Sequence, residues 1–260
     1  MYLFFKKLQS ELPSLKHFIT TKEGGFSSGG FKSLNMGLHT GDISKTVIKN
    51  RKKAFSDNGI DISQAVFMNQ THSNHCQIIK KEDMGRGTIN LKTAIEDCDA
   101  MITQQRGIAL CALAADCSVL LIFEVKSKTL GVIHGGWKGL INGVLENTIN
   151  KILSLSGSKP EDLWVGIGPL ISKDNYEIGK ELFTNFSKRF PVLKEDLSSS
   201  EKYLLDLRKV IFCILENKGI KKSKIDSIEL CTYVETNRLY SYRKAKTCGR
   251  HCLSAWIDPS

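Results

Sequence analysis

Three residues of metal-ligand type, His72, Cys117 and His134, lie in polar segments that interrupt apolar stretches of the sequence. Two imidazoles and one thiolate suit Zn2+, and three protein ligands leave a fourth tetrahedral position open for water or substrate. Taken one at a time, each residue also has an ordinary interpretation, as a buried inert thiol or as a histidine in a turn or at the surface. The residues therefore offer a catalytic metal site as a hypothesis that spacing alone does not decide.

The elements that must position these residues are short apolar strands mixed with helices. Helical spacing of apolar residues predicts helices near 140–152, 176–186 and 204–218, the last ending at Gly219 as a left-handed cap. Apolar runs predict strands at 100–103, 108–113, 119–124, 130–133, 163–167 and 228–232. Because strands and helices do not alternate strictly, the pattern favours an α+β layered sandwich over a doubly wound sheet. Without repeats or a Pro-rich hinge, residues 1–260 are expected to form a single domain.

Composition narrows the classes of partner. The chain has 260 residues and a formal net charge of +10, but its lysines are scattered and do not form a stripe with aromatics. We therefore expect no nucleic-acid partner. No apolar run approaches the roughly 20 residues that span a bilayer, which predicts no membrane association and a cytoplasmic protein. The eight cysteines include no CxxC pair and are expected to be mostly buried thiols.

Short motifs in order along nearly the whole chain resemble the multicopper polyphenol oxidase (laccase) domain family, also described as zinc-dependent purine nucleoside phosphorylases. They are Thr21 to Ser27, Ser33-Leu34-Asn35-Met36-Gly37, Asn50-Arg51, Gln70-Thr71-His72, Asp99 to Thr103, Ala115-Asp116-Cys117, His134 to Gly139, Gly168-Pro169 with Tyr176 to Gly179, Cys231-Thr232-Tyr233, Ser241-Tyr242-Arg243 and Thr247 to Arg250. The sequence departs from the family pattern at Ser73, Val119, Lys138 and His251.

The resemblance implies a four-layer α/β/β/α sandwich with mixed sheets and zinc held by His72, Cys117 and His134. It also implies phosphorolysis of adenosine, inosine, guanosine and methylthioadenosine, with adenosine deamination as a side activity. The expected partners are purine nucleosides and phosphate, and the chain is expected to be a monomer or a weak homodimer.

Within that reaction, residue chemistry suggests further roles. Arg51 is the first candidate for phosphate, because a guanidinium fork matches phosphate geometry. Asp116 is a candidate for acid/base chemistry or for orienting a ligand histidine, with Asp99 a weaker one. The predicted catalytic residues are thus Asp116, Cys117 and Arg51, and the predicted substrate-binding residues are Asn35, Arg51, Lys138 and Arg250.

Three alternatives remain open at this stage. A copper-dependent polyphenol oxidase would need more histidines than the six present, which include no HxH motif. A thiol hydrolase with Cys117 as nucleophile and His134 as base would fit peptidoglycan editing. A structural zinc protein would need a fourth protein ligand, for which Cys98 and His75 are candidates.

Overall fold

The computed structural model describes residues 2–196 and 202–259, which contain six α-helices and thirteen strands. The helices are α1 Lys6–Glu11, α2 Ser44–Asp57, α3 Trp137–Ile141, α4 Val144–Ser156, α5 Lys180–Arg189 and α6 Leu207–Asn217. The strands are β1 Tyr2–Leu3, β2 Leu15–Thr20, β3 Ala65–Phe67, β4 Cys76–Ile78, β5 Ala100–Thr103, β6 Ala109–Ala114, β7 Ser118–Glu124, β8 Thr129–Gly135, β9 Leu163–Ile167, β10 Glu177–Ile178, β11 Tyr203–Leu204, β12 Ile225–Ser227 and β13 His251–Ile257.

The strands form two main mixed sheets. The first has the order β1-β2-β13-β6-β3 and the second β12-β9-β7-β8-β5-β4, while β10 pairs with β11 alone. Parallel pairs (β3 with β6, β4 with β5, β9 with β12) occur beside antiparallel ones in both main sheets. The chain passes from the first sheet to the second between β6 and β7, in three residues that end at Cys117.

The two sheets face each other across an apolar core. Successive side chains of a strand point to opposite faces. Leu110 and Ala112 of β6 therefore meet Leu121 and Phe123 of β7 between the sheets. The alternate residues of the same strands pack outward, so each strand is covered on both faces. This is why these strands are continuous apolar runs in the sequence.

Helices cover both outer faces. On the first sheet, Ala54 and Phe55 of α2 pack with Phe18 and Trp256. On the second sheet, α4 packs against β5, β7 and β8, and α5 and α6 extend the same core. The result is a four-layer α/β/β/α sandwich, which confirms the expected fold class. Among the described residues, each helix is too short or too polar to span a lipid bilayer.

Most predicted elements occur, with shifted boundaries. The predicted helix at 140–152 is part of a longer pair, α3 and α4, divided where Gly143 adopts a φ of +89°. The short strands β10 and β11 precede α5 and α6, so these helices start later than predicted. Gly219 has a φ of +82°, as expected of a left-handed cap.

The strand predicted at 228–232 is wrong. The observed strand β12 lies earlier, at Ile225–Ser227, and pairs in parallel with β9. Its partner β9 ends at Ile167 and is followed by Gly168 and Pro169. Because proline has no N–H to donate, the regular ladder stops there, and in the described residues it is followed by an isolated parallel bridge between Leu170 and Cys231.

Candidate metal centre

The structure brings His72, Cys117 and His134 together, with one ligand atom from each residue lying within 4.8 Å of the others. The Cys117 Sγ lies 3.8 Å from the His72 Nε2. The rings of His72 and His134 meet edge to face with centroids 4.9 Å apart. Nitrogen and sulfur ligands of one tetrahedral zinc ion are about 3.5 Å apart. The donor set and its spacing therefore fit a single metal ion.

Strand pairing sets two of the three ligands. In the β7–β8 ladder, Val119 lies opposite His134 and Ser118 lies opposite Gly135. Cys117, directly before β7, is thereby held next to His134. His72 comes from the loop between β3 and β4, so the sheet delivers two ligands and a loop delivers the third.

Gly136 makes room for that loop. A Cβ built on Gly136 would lie 2.5 Å from the Cδ2 of His72 and 3.2 Å from the Sγ of Cys117. Real Cβ atoms do not approach other atoms as closely as the first distance. The glycine that follows β8 is therefore required for the three ligands to converge.

Hydrogen bonding leaves the Nε2 of His134 free for a metal. The Nδ1 of His134 lies 2.8 Å from the Oδ1 of Asp99, and both side chains are buried. An ionised carboxylate only accepts hydrogen bonds, so the His134 Nδ1 carries the hydrogen. Metal-ligating histidines commonly have a carboxylate on the other ring nitrogen.

The charges of the cluster favour a metal-binding thiolate. Burial raises the pKa of the Cys117 thiol, but the His134 and His72 imidazoles outweigh burial and bring it down to about 6. Burial lowers the pKa of His134, but Cys117 and Asp99 together raise it above its ordinary value. A thiolate, and not a thiol, is the form that ligates metal.

The ligands open onto a cavity of about 610 Å³, a size typical of small-molecule sites. Its walls include three aromatic side chains and three cations outside the metal cluster. These are Trp137, Tyr176, Tyr242, Arg243, Lys246 and Arg250. Cationic groups beside aromatic faces suit an anion together with a flat, partly apolar molecule.

Arg51 does not reach this cavity. Its side chain is 1% exposed, and its guanidinium donates to the carbonyl oxygens of Met36, Gly87 and Thr88 at 2.6–2.8 Å. It also packs over the Phe67 ring, with the Cζ 3.8 Å from the centroid. The structure does not support the predicted phosphate contact, because the guanidinium is enclosed and its hydrogen bonds go to backbone.

Asn35 is also enclosed. Its Oδ1 accepts hydrogen bonds from the backbone N–H groups of Gly37 and Arg250, both at 2.9 Å. Its Nδ2 donates to the Oγ1 of Thr40 and the Oδ2 of Asp42. Its observed contact with the site is therefore indirect, through the backbone of Arg250.

The structure places the remaining predicted residues, Asp116, Arg250 and Lys138, in two neighbouring cavities. Asp116 and Arg250 line the metal cavity. Lys138 is exposed and lines a neighbouring cavity that shares His72 with the first. Both carboxylate oxygens of Asp116 are engaged, since Oδ1 accepts from the Thr232 Oγ1 and Oδ2 from the Arg243 N–H, each at 2.6 Å.

Sequence reasoning did not predict Trp137, Tyr176, Tyr242 or Lys246 as cavity residues. The available signal was their position. Trp137 follows the His134-Gly135-Gly136 turn, Tyr176 begins a motif, and Tyr242 lies between Ser241 and Arg243 in another. Neither motif by itself indicates which side chain faces a ligand.

Comparison with known proteins agrees with this architecture. The family model described as multi-copper polyphenol oxidoreductase laccase matches residues 16–258. The chain belongs to this family. The matched segment contains the three ligand positions, Asp99 and the aromatic and cationic cavity residues.

Two named relatives are similar to this chain over most of its length. Purine nucleoside phosphorylase YlmD of Bacillus subtilis is 32% identical over 228 residues, covering 86% of this chain and 82% of that protein. A purine nucleoside phosphorylase of Corynebacterium glutamicum is 30% identical, with 94% of each chain covered.

Two crystal structures share the fold of this chain. The hypothetical protein YfiH of Bacillus licheniformis is 29% identical with a TM-score of 0.91, covering 95% of this chain and 94% of that one. YlmD of Geobacillus stearothermophilus is 28% identical with a TM-score of 0.88, covering 94% and 92%.

Proposed function

We propose that this protein is a zinc-dependent purine nucleoside phosphorylase that converts adenosine, inosine, guanosine or methylthioadenosine and phosphate into the free base and ribose 1-phosphate. The observation that carries the proposal is the three-ligand site at the wall of a cavity with aromatic and cationic groups. The names of the relatives point to the same reaction.

Zinc is the proposed metal because two imidazoles and one thiolate fit it and leave one position open. The bound ion would supply Lewis-acid chemistry toward an oxygen of phosphate or ribose. A structural zinc site would need a fourth protein ligand. In the part of the chain that the structure describes, His72, Cys117 and His134 are the one group of three or more candidate ligands that lie close enough together.

The phosphate is proposed to bind near Arg250 and Lys246. One nitrogen of the Arg250 guanidinium, Nη1, donates to the carbonyl oxygens of Cys248 and Gly249. Its Nε and Nη2 have no hydrogen-bond partner among the described residues, and the side chain lines the cavity. Arg250 and Lys246 both lie over the Tyr242 ring, at 5.6 and 4.7 Å from its centroid. A phosphate there would meet two cations beside the metal.

The purine is proposed to lie against the aromatic side chains. Tyr242 lines the cavity and is 46% exposed, and the part of its ring that Arg250 and Lys246 leave uncovered would contact a flat base. Tyr176 lies deeper, with Arg243 over its ring at 4.9 Å. Offset stacking of aromatic rings supplies binding energy with little demand on hydrogen bonding.

Asp116 is proposed to hold the segment next to Cys117 in place and not to act as a proton donor. Its two oxygens tie the chain next to Cys117 to Thr232 and to the backbone of Arg243. That backbone belongs to the segment that carries Tyr242 and Lys246. The carboxylate therefore connects the metal cluster to the wall where substrate would bind.

The deciding experiment incubates metal-quantified protein with adenosine, with and without phosphate. Ribose 1-phosphate and adenine should form only with phosphate. Inosine and ammonia formed without phosphate would report the proposed deaminase side activity. Cys117→Ala should lose zinc and phosphorolysis together. Full phosphorolysis by a zinc-free Cys117→Ala protein would overturn the proposal.

A copper-dependent polyphenol oxidase is the second candidate, favoured by the family's description. Against it, the described residues bring only two histidines and one cysteine together. Multicopper oxidases need further histidines for a multinuclear cluster. Phenol oxidation by copper-loaded protein, dependent on His72 and His134, would support this candidate.

Alkylation-sensitive hydrolysis of muropeptides after zinc removal would instead support a thiol hydrolase with Cys117 as nucleophile.

Two further proposals concern the localisation and the oligomeric state of the protein. We propose a cytoplasmic monomer or weak homodimer. Light scattering across a concentration series would test the oligomeric state. A tetramer at low concentration would contradict it.

A further inference from the structure

We propose that Asp99 is a positioning residue that holds both histidine ligands, so that one buried carboxylate preassembles the metal centre. The proposal rests on the metal site of the proposed function but not on the nucleoside reaction. Metal affinity, and not catalysis, is therefore the quantity that tests it.

The two oxygens of Asp99 serve different ligands. Its Oδ1 lies 2.8 Å from the Nδ1 of His134. Its Oδ2 accepts three hydrogen bonds from the other ligand loop, from the Thr71 N–H at 3.1 Å, the Ser73 N–H at 2.6 Å and the Ser73 hydroxyl at 2.9 Å. The Asp99 side chain is fully buried, so these contacts replace its hydration.

The hydrogen bonds to Oδ2 come from the residues on either side of His72 in the chain. Thr71 and Ser73, whose N–H groups point at the same oxygen, are its two chain neighbours. His72 itself has a φ of +61°, in the left-handed region that residues with a Cβ seldom adopt. Such a conformation persists where surrounding contacts determine it. The Asp99 carboxylate provides those contacts and so holds the imidazole toward Cys117.

Asp99 is itself fixed by backbone pairing. It directly precedes β5, its N–H donates to the carbonyl of His75, and its carbonyl accepts from the N–H of His134. The carboxylate therefore has a set position relative to both ligands before any metal binds. A pre-positioned group loses less entropy when the metal arrives.

All four groups that face the carboxylate are donors, which makes an amide a poor substitute. An asparagine has one accepting and one donating end. If its oxygen faces the loop, its NH2 faces the Nδ1 of His134 and favours the tautomer with hydrogen on Nε2, which cannot ligate. If its oxygen faces His134, its NH2 meets the N–H groups of Thr71 and Ser73. Either orientation disturbs one histidine ligand.

The experiment measures zinc affinity by competition with a chromophoric chelator in the full-length protein. Asp99→Asn should weaken zinc binding about 10–100-fold, the usual effect of losing such a partner. Asp97→Asn is the matched control, because the exposed side chain of Asp97 contacts the same loop at the Thr71 hydroxyl and at His75 and does not contact Ser73. Its zinc affinity should equal that of the wild type.

Two further measurements keep the test decisive if Asp99→Asn folds poorly. Ser73→Ala removes one of the three donors to Oδ2 and should weaken zinc binding less than Asp99→Asn. Nitrogen-15 NMR of the zinc-loaded wild type should show His134 with hydrogen on Nδ1 and metal on Nε2. Wild-type affinity in a folded Asp99→Asn protein, or the opposite His134 tautomer, would overturn the proposal. A wild type that binds zinc but shows no phosphorolysis would instead refute the proposed function alone.

Discussion

Gly136 and His72 are in such close contact that a single added methyl group at Gly136 would lie 2.5 Å from the His72 ring. The contact joins the residue after β8 to the loop before β4, which are far apart in the sequence. The third metal ligand therefore reaches the other two only because the residue at position 136 has no side chain.

Gly136→Ala should therefore weaken zinc binding strongly while leaving the fold intact. Its backbone, with φ −72° and ψ 159°, is accessible to alanine, so the added methyl acts by displacing His72 and by crowding the Sγ of Cys117. Chelator competition measures the loss. Gly179→Ala is the matched control, since Gly179 also precedes a helix with φ −72° and ψ 152° but has no neighbour near a built Cβ. Equal zinc affinity in both variants would contradict the crowding.

Asp116→Asn should leave zinc affinity and kcat close to wild type. An asparagine can accept from the Arg243 N–H and donate to the Thr232 hydroxyl, and it tolerates the φ of +91° at this position. Steady-state kinetics with zinc quantification provides the measurement. A large fall in kcat at full zinc content would restore the acid/base role predicted from the sequence.

Arg51→Met should destabilise the protein by about 2–4 kcal/mol without changing the KM for phosphate. The substitution leaves the buried carbonyls of Met36, Gly87 and Thr88 without their donor. Urea unfolding gives the stability change. A raised phosphate KM in the folded variant would return Arg51 to the substrate site.

Arg250→Met should have the opposite effect, raising the KM for phosphate with a smaller change in stability. Losing charge-assisted hydrogen bonds to phosphate should raise its KM about 10–100-fold, with zinc content unchanged. Because the Arg250 side chain is only partly buried, the free energy of unfolding should change less than in Arg51→Met. An unchanged phosphate KM would exclude Arg250 from the proposed phosphate site.

His251 should make the protein less stable as the pH falls. The side chain is fully buried, neither ring nitrogen has a hydrogen-bond partner among the described residues, and burial lowers its pKa to about 3. Between the unfolded pKa of about 6.5 and that value, the unfolded state binds the extra proton. This contribution to stability is complete above pH 6.5 and is lost progressively toward pH 3.

His251→Leu should therefore reduce the loss of stability between pH 7 and pH 5, measured by urea unfolding at equal zinc loading. His17, whose pKa is also lowered by burial, to about 4, remains in both proteins. Some pH dependence should therefore persist in the variant. An identical slope in the two proteins would show that folding does not lower the pKa of His251.

The four inner strands of the second sheet, β9, β7, β8 and β5, were predictable because burial on both faces makes them uninterrupted apolar runs. The run at 100–103 matches β5 and the run at 163–167 matches β9. Strand β13 escaped prediction because His251, Cys252 and Ser254 obscure its apolar pattern, although it lies between β2 and β6 in the first sheet. Its partners are more than 130 residues away in the sequence, as with Ser254 and Cys111, so local patterns contain little information about it.

By itself the sequence determined the type of layered fold and, through ordered motifs, the three candidate ligands, because residue type and local periodicity are local properties. Only the tertiary structure separated Arg51 from Arg250 and Asp99 from Asp116. Each pair has the same charge and chemistry, and what differs is which groups occupy its donors or acceptors. Arg51 donates to a carbonyl 36 residues away, and Asp99 faces a histidine 35 residues away. Such partners are chosen by packing of the whole chain, which no short segment encodes.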